Sequence, residues 1–303
     1  MLCRKNGGLM AVMIAILVCI IAANQSHGKT VQPIQSSLSV ETKGTGPALV
    51  FIPGLNSGKD TFRATCAHFQ KNYQCHLLQL PGFAGLPAKP GLQEAFLVPM
   101  RDEVLAYIHS NKLRKVILVG HSLGGTLSLM LALKAPDLIE KIIIVDALPF
   151  FPAIQNPGLT ADLMRPQAEQ MRTMMNSQSA ADYAKNAAAN LQGMSNNPAR
   201  LPLLIEWSNA SDRATTTQAM FDLMTTDLRS DIAVIKQPTL VLGAWAAYKA
   251  YGSTKESTAG IYKLQYEKLK NIDIRLSDTG FHFITWDDGD WVNQQINEFL
   301  SVK

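Results

Sequence analysis

The stretch that most limits what this 303-residue chain can fold into is Lys115-Val116-Ile117-Leu118-Val119-Gly120-His121-Ser122-Leu123-Gly124-Gly125. Its apolar run has no alternating polar side, as expected of a strand buried on both faces of a parallel sheet. Beyond it, Leu127, Met130, Leu131 and Leu133 fall near helical spacing and Pro136 ends the run. Between strand and helix sits Gly120-x-Ser122-x-Gly124. So abrupt a turn holds the serine in a strained backbone conformation. The glycines keep bulk away, and the hydroxyl projects from the C-terminal edge of the sheet. The N–H of Leu123, at the start of the helix, points toward any negative charge that forms beside that hydroxyl. The plainer reading of the same residues is a glycine-rich strand-to-helix turn with a capping serine.

Strand, G-x-S-x-G turn and helix in this order resemble the α/β-hydrolase superfamily. The resemblance implies a mostly parallel sheet with helices on both faces and a helical cap insertion. It also implies an oxyanion loop upstream of the serine, an acid downstream, and a histidine near the C-terminus. The upstream loop is found after the apolar strand Ala48–Ile52, as Pro53-Gly54-Leu55-Asn56-Ser57-Gly58. Relatives usually begin it His-Gly; here Pro53 stands in the first place, and Gly54 is expected to let the backbone approach substrate closely. The Leu55 N–H is the expected second oxyanion donor, ahead of that of Asn56. One such donor contributes about 3 kcal/mol of transition-state stabilisation. The loop after the strand Tyr73–Leu80 borders the pocket in relatives, so Phe83 either touches substrate or packs beneath the loop.

His282 follows the last expected strand, Ile272–Leu276, in a glycine-containing loop where the superfamily keeps its general base. Of the other histidines, His68 and His109 fall in helical patterns and His76 within a strand. His27 precedes the expected cleavage point, and His121, beside the serine, is expected to point its side chain elsewhere. The acid departs from the common pattern. Most relatives carry it shortly after the strand that here ends at Gly243, but Ala244-Trp245-Ala246-Ala247-Tyr248 has no carboxylate. Some relatives place it one strand earlier, where Asp146 ends the expected strand Lys141–Asp146. Asp146 is therefore the first candidate, Glu256 the second, and Asp227, Asp231 and Asp278 trail. An aspartate at that strand end also serves as a structural cap in relatives with the usual acid.

The remaining organisation is one large domain with an insertion. With 47% hydrophobic and 17% charged residues the chain can bury a full core. Residues 29–148 and 225–303 form the expected core. Residues 149–224 show proline- and glycine-punctuated helical pieces and no strand signal, and are assigned to the cap. Met164, Met171, Met174, Met175, Met194, Met220 and Met224 concentrate there. Flexible thioethers suit either an adaptable apolar pocket or ordinary packing of cap on core.

Arg4 and Lys5, an unbroken apolar run from Leu9 to Ala23, and Ser26-His27-Gly28 have the order of a secretory signal peptide cleaved before Lys29. The run is short for a spanning helix, so an uncleaved N-terminal anchor is the alternative. A lipoprotein site at Cys19 is disfavoured by the bulky Val18. Secretion or a periplasmic location is expected, without stable membrane association after cleavage. Export permits a disulfide between Cys66 and Cys75, though spacing serves two buried thiols equally well. The formal net charge of +4 includes Arg4 and Lys5, and the nearly balanced remainder disfavours nucleic acid as a partner. No cluster has metal-ligand spacing, Gly120–Gly125 lacks the lysine of a phosphate loop, and no cofactor is called for.

These residues imply an exported serine hydrolase acting on small or medium carboxylic esters through an acyl-enzyme. Amide or carbon–carbon bond cleavage by the same residues, or an inactive scaffold that binds a ligand, are the alternatives. Dehalogenase and epoxide hydrolase relatives carry aspartate where Ser122 stands. Oligomeric state is not legible in the sequence.

Overall fold

The computed structural model describes residues 37–302 apart from residue 155. The expected signal segment, residues 1–28, lies outside the described residues. The elements are, in order, β1 (Ser39–Lys43), β2 (Ala48–Ile52), α1 (Arg63–Phe69), β3 (Gln74–Gln79), α2 (Leu97–Ser110), β4 (Val116–His121), α3 (Leu123–Lys134) and β5 (Ile139–Val145). Then follow α4 (Ala161–Ser177), α5 (Ala180–Leu191), α6 (Leu201–Asn209), α7 (Arg213–Thr225), β6 (Thr239–Gly243), α8 (Lys255–Gln265), β7 (Ile272–Leu276), α9 (Ile284–Asp287) and α10 (Gly289–Ser301).

The strands form one sheet in the order β1-β3-β2-β4-β5-β6-β7. Only β1 runs antiparallel, against β3; the other pairings are parallel. Every residue of β2, β4 and β6 is buried, which is why those segments read as unbroken apolar runs. The period-two alternation then divides the core. Val50, Ile52, Leu118, Ile142, Ile144 and Val241 share one cluster with side chains of α2, α3 and α8. Leu49, Phe51, Ile117, Val119, Ile143, Val145 and Leu242 share the other with side chains of α1 and α10.

A 3-10 turn, Lys59–Phe62, leads into α1. Cys66 and Cys75 are buried free thiols, Cys75 Sγ lying 3.6 Å from the carbonyl of Cys66. Burial holds both thiols above their ordinary range, Cys75 the more strongly. Phe83 is fully buried and stacks on Phe96 with ring centroids 4.9 Å apart, so it packs beneath its loop.

Helices α4–α7 lie between β5 and β6, and no strand occurs among the described residues there. Met164 and Met224 are buried with Phe150, Ala153 and Ala168, and Met171 and Met220 pack on that cluster. These four thioethers pack between α4, α7 and the segment after β5. Among the described residues no helix is long and apolar enough to cross a membrane.

Candidate active site

Parallel strands bring their C-terminal ends to one edge, and β4 and β5 are neighbours. Ser122 follows β4 at φ +52, in the positive-φ region that costs a non-glycine residue strain. Its backbone is fixed on both sides. The N–H of Ser122 donates to Val145 O at 2.9 Å, and the N–H groups of Gly125 and Thr126 donate to its carbonyl at 2.8 and 3.2 Å. The glycines are steric requirements. A β-carbon on Gly120 would stand 2.2 Å from Gly124 O, and one on Gly124 would stand 2.0 Å from Ile52 O.

Asp146 follows β5, also at positive φ, +47. His282 Nδ1 lies 2.6 Å from Asp146 Oδ2. The carboxylate accepts this contact, so Nδ1 carries the hydrogen and Nε2 presents a lone pair in the neutral imidazole. Asp146 Oδ1 accepts from the Ala244 N–H at 2.8 Å and the Tyr262 hydroxyl at 2.6 Å. Among the described residues no hydrogen bond joins the Ser122 hydroxyl to His282. In unliganded sites such bonds are commonly long and tighten when substrate binds.

His282 lies beyond β7, two strands from β5, and its loop is tied down to reach back. The Ser277 N–H donates to Gly243 O at 3.0 Å, and Ser277 Oγ donates to Asp288 while receiving the Gly280 N–H. Asp287 Oδ2 accepts from the N–H groups of Phe281 and Asn196, and the Phe283 N–H donates to Met194 O at 3.0 Å. The segment between α5 and α6 is thereby stitched to the histidine loop.

His121 departs from expectation. Its side chain turns toward His282, with ring centroids 4.6 Å apart, and its Nε2 donates to the His282 carbonyl at 2.9 Å. Alternation along β4 explains this: residue 121 shares a face with Ile117 and Val119, and the His282–Phe283 loop crosses that face. Burial, and secondarily the neighbouring His282, push its pKa down to about 3, so the ring is neutral at physiological pH.

A β-carbon on Gly54 would stand 3.0 Å from His121 Nδ1 and 3.1 Å from Ser122 Cβ, so the elbow leaves little room for a side chain there. The same contact sets the Pro53–Gly58 loop against Ser122. Among the described residues no backbone bond takes the Leu55 N–H. Leu123 opens α3, whose first N–H groups have no partner within the helix. Asn56, at φ +54, is anchored through its Oδ1 to the Thr216 hydroxyl of α7 at 2.7 Å.

Glu256 takes no part in this group; it is exposed in the first turn of α8. Asp278 pairs with Lys255, and Asp227 with Arg229. His121, Tyr262 and Ala244 are the members that sequence reading missed. The tyrosines along α8 were visible, but nothing local marked one of them as a partner of Asp146.

A pimeloyl-[acyl-carrier protein] methyl ester esterase of Aeromonas salmonicida is 31% identical over 129 residues, covering 42% of this chain and 49% of that protein. One from Nitrosospira multiformis is 32% identical over 121 residues, covering 39% and 44%. The chain thus matches about half the length of these relatives or somewhat less. A hydrolase structure from Pseudomonas aeruginosa PA01 superposes with a TM-score of 0.71 at 17% identity, covering 88% of this chain and 94% of that one. That likeness is one of fold. A model of the alpha/beta hydrolase fold matches residues 47–297. Strand order, elbow and this match together make the chain a member of the alpha/beta hydrolase fold family.

Proposed function

We propose that the protein is a serine hydrolase of small or medium carboxylic esters. The observation that carries the reading is the 2.6 Å contact between His282 Nδ1 and Asp146 Oδ2 at the strand edge that also bears Ser122 in a strained elbow. In this reading His282 Nε2 takes the Ser122 proton as Oγ attacks the acyl carbon, and Asp146 stabilises the imidazolium that results. The N–H groups of Leu123 and Leu55 receive the oxyanion. The imidazolium then protonates the departing alkoxide, leaving an acyl-serine. Water, deprotonated by His282, attacks that acyl carbon, and the serine leaves with the proton returned. The methyl ester esterases among the relatives support an ester as the substrate.

Helices α4–α7 act in this reading as a cap, and the ties from Met194 and Asn196 to the histidine loop connect it to the general base. Residues 1–28 serve as a secretory signal, so the mature chain begins at Lys29; N-terminal sequencing of the secreted protein tests this directly.

The test of the reading is labelling by a fluorophosphonate together with turnover of a p-nitrophenyl ester series. Labelling that disappears in Ser122→Ala supports it. A folded wild-type protein that neither labels nor turns over any ester would mean a binding scaffold instead.

A further inference from the structure

Tyr262 has no role in the mechanism just described, yet its hydroxyl is bonded to the acid. The residue is 5% exposed, on the turn of α8 that faces the sheet. Its single hydroxyl proton points at Asp146 Oδ1, 2.6 Å away. Burial and the adjacent carboxylate both hold the phenol far above its ordinary range, so it is a permanent donor. One turn along, the Tyr266 hydroxyl donates to the carbonyl of Ala147 at 3.0 Å. Tyr262 of α8 and Tyr266, just beyond its last residue, thus grip consecutive residues of the loop after β5.

We propose that Tyr262 is a positioning residue of the hydrolytic site, acting with the Ala244 N–H to occupy Asp146 Oδ1 and so present Oδ2 alone to His282. A carboxylate on a single-methylene stem can rotate to exchange its oxygens and lose alignment with the imidazole. Two donors fixed by different elements, α8 and the end of β6, remove that freedom. The donors also share the carboxylate charge, which keeps the proton on the imidazole when His282 is protonated. The end of β6, bare of any acid, contributes through its backbone N–H instead. Asp146 stands between Tyr262 and the reacting atoms, so the phenol acts only through the carboxylate. The other titratable groups facing Asp146 are His282, His121, Tyr248 and Tyr266. Of these and Tyr262, only His282 and Tyr262 hydrogen-bond the carboxylate.

The inference rests on the serine hydrolase reading, and the test separates the two. In full-length mature protein, Tyr262→Phe keeps the ring and removes the donor. The expected result is a fall in kcat of about 10- to 100-fold, the range for a hydrogen bond to a charged group, with KM held within about twofold. The acid limb of the pH–kcat/KM profile moves to higher pH, because the carboxylate's undivided charge then favours the protonated imidazole. The downfield proton resonance of the His282–Asp146 bond moves as well.

In an Asp146→Asn background the same substitution has a much smaller effect, since the phenol then orients a neutral amide and the charge it acts on is gone. A merely structural tyrosine gives equal losses in both backgrounds and no shift of the acid limb, and either result overturns the proposal. Should the phenylalanine variant fail to fold, 3,5-difluorotyrosine at position 262 keeps the shape and strengthens the donor. It shifts the acid limb to lower pH if the proposal holds, and an unmoved limb refutes it. Ester turnover surviving in Ser122→Ala would instead sink the hydrolase reading itself.

Discussion

The two halves of the site are built in opposite ways. The Ser122 elbow is mostly local: its carbonyl accepts from Gly125 and Thr126 and its clearances are to Gly120 and Gly124, while contacts with the ends of β5 and β2 come from elsewhere. The Asp146–His282 pair is long-range throughout, with partners 98, 116 and 136 residues apart meeting at one carboxylate. A local device is bound up with the folding of the strand and helix that contain it. A long-range one depends on four separate elements arriving in register, and each can be loosened without unfolding the rest.

Asp146→Asn breaks the long-range half most severely. The amide still accepts from Ala244 and Tyr262 through its oxygen, so the fold is kept. Its NH2 then faces His282 Nδ1 and favours the tautomer that carries the proton on Nε2, which removes the lone pair that takes the Ser122 proton in the proposed mechanism. Turnover of a reactive ester is expected to fall by about 10⁴ with the urea midpoint little changed. Gly120→Ala breaks the local half and inverts the pattern. Its β-carbon, 2.2 Å from Gly124 O and 2.5 Å from Ser128 Oγ, forces the strand and α3 apart. The expected cost is about 3 kcal/mol in chemical denaturation, expressed as instability before any change in chemistry. If each variant showed the other's phenotype, the division between the halves would be false.

The same division decides what could be read from sequence. The elbow, the buried strands and the upstream loop were legible because their residues are contiguous and their apolar pattern reports burial. Asp146 was legible as the first candidate because the resemblance implies an acid at that strand end in some relatives, and strand ends are positions that sequence can place. Tyr262 and His121 were not, since their meaning lies in partners 116 and 161 residues away. The buried run Thr215-Thr216-Thr217-Gln218 of α7 was equally silent. These side chains are polar and are buried because they find hydrogen-bond partners such as Asp212, Asn56 and Asn176, which hydrophobic periodicity does not register.

His121 joins the two halves, and its protonation is a graded way to pull on the joint. Its pKa falls from an ordinary 6.5 to about 3 in the folded protein. Between these values the unfolded chain takes up a proton that the folded chain refuses. Its contribution to stability is therefore complete above the upper value and is lost as pH falls through the window. The slope is at most about 1.4 kcal/mol per pH unit. His121→Gln keeps a donor for the His282 carbonyl and does not titrate. Urea midpoints measured from pH 7 to pH 4 should fall less steeply in this variant than in wild type, and identical slopes would show that His121 is not the group being titrated.

The smallest effect is expected at Glu256, the carboxylate that sequence offered as the alternative acid. It sits exposed in the first turn of α8, where a negative charge is favoured by the helix dipole and has no route to His282. Glu256→Gln should cost a few tenths of a kcal/mol in stability, the ordinary value of an exposed charge at a helix N-terminus. It should leave kcat and KM of ester hydrolysis within about twofold of wild type. The comparison with Asp146→Asn gives this near-zero result its weight, because both changes neutralise one carboxylate by the same chemistry on elements that flank the site. A tenfold loss of turnover at Glu256 would mean that α8 delivers its acid to the imidazole in the working enzyme. The long-range half of the site would then be assembled from a different set of contacts than the one centred on Asp146.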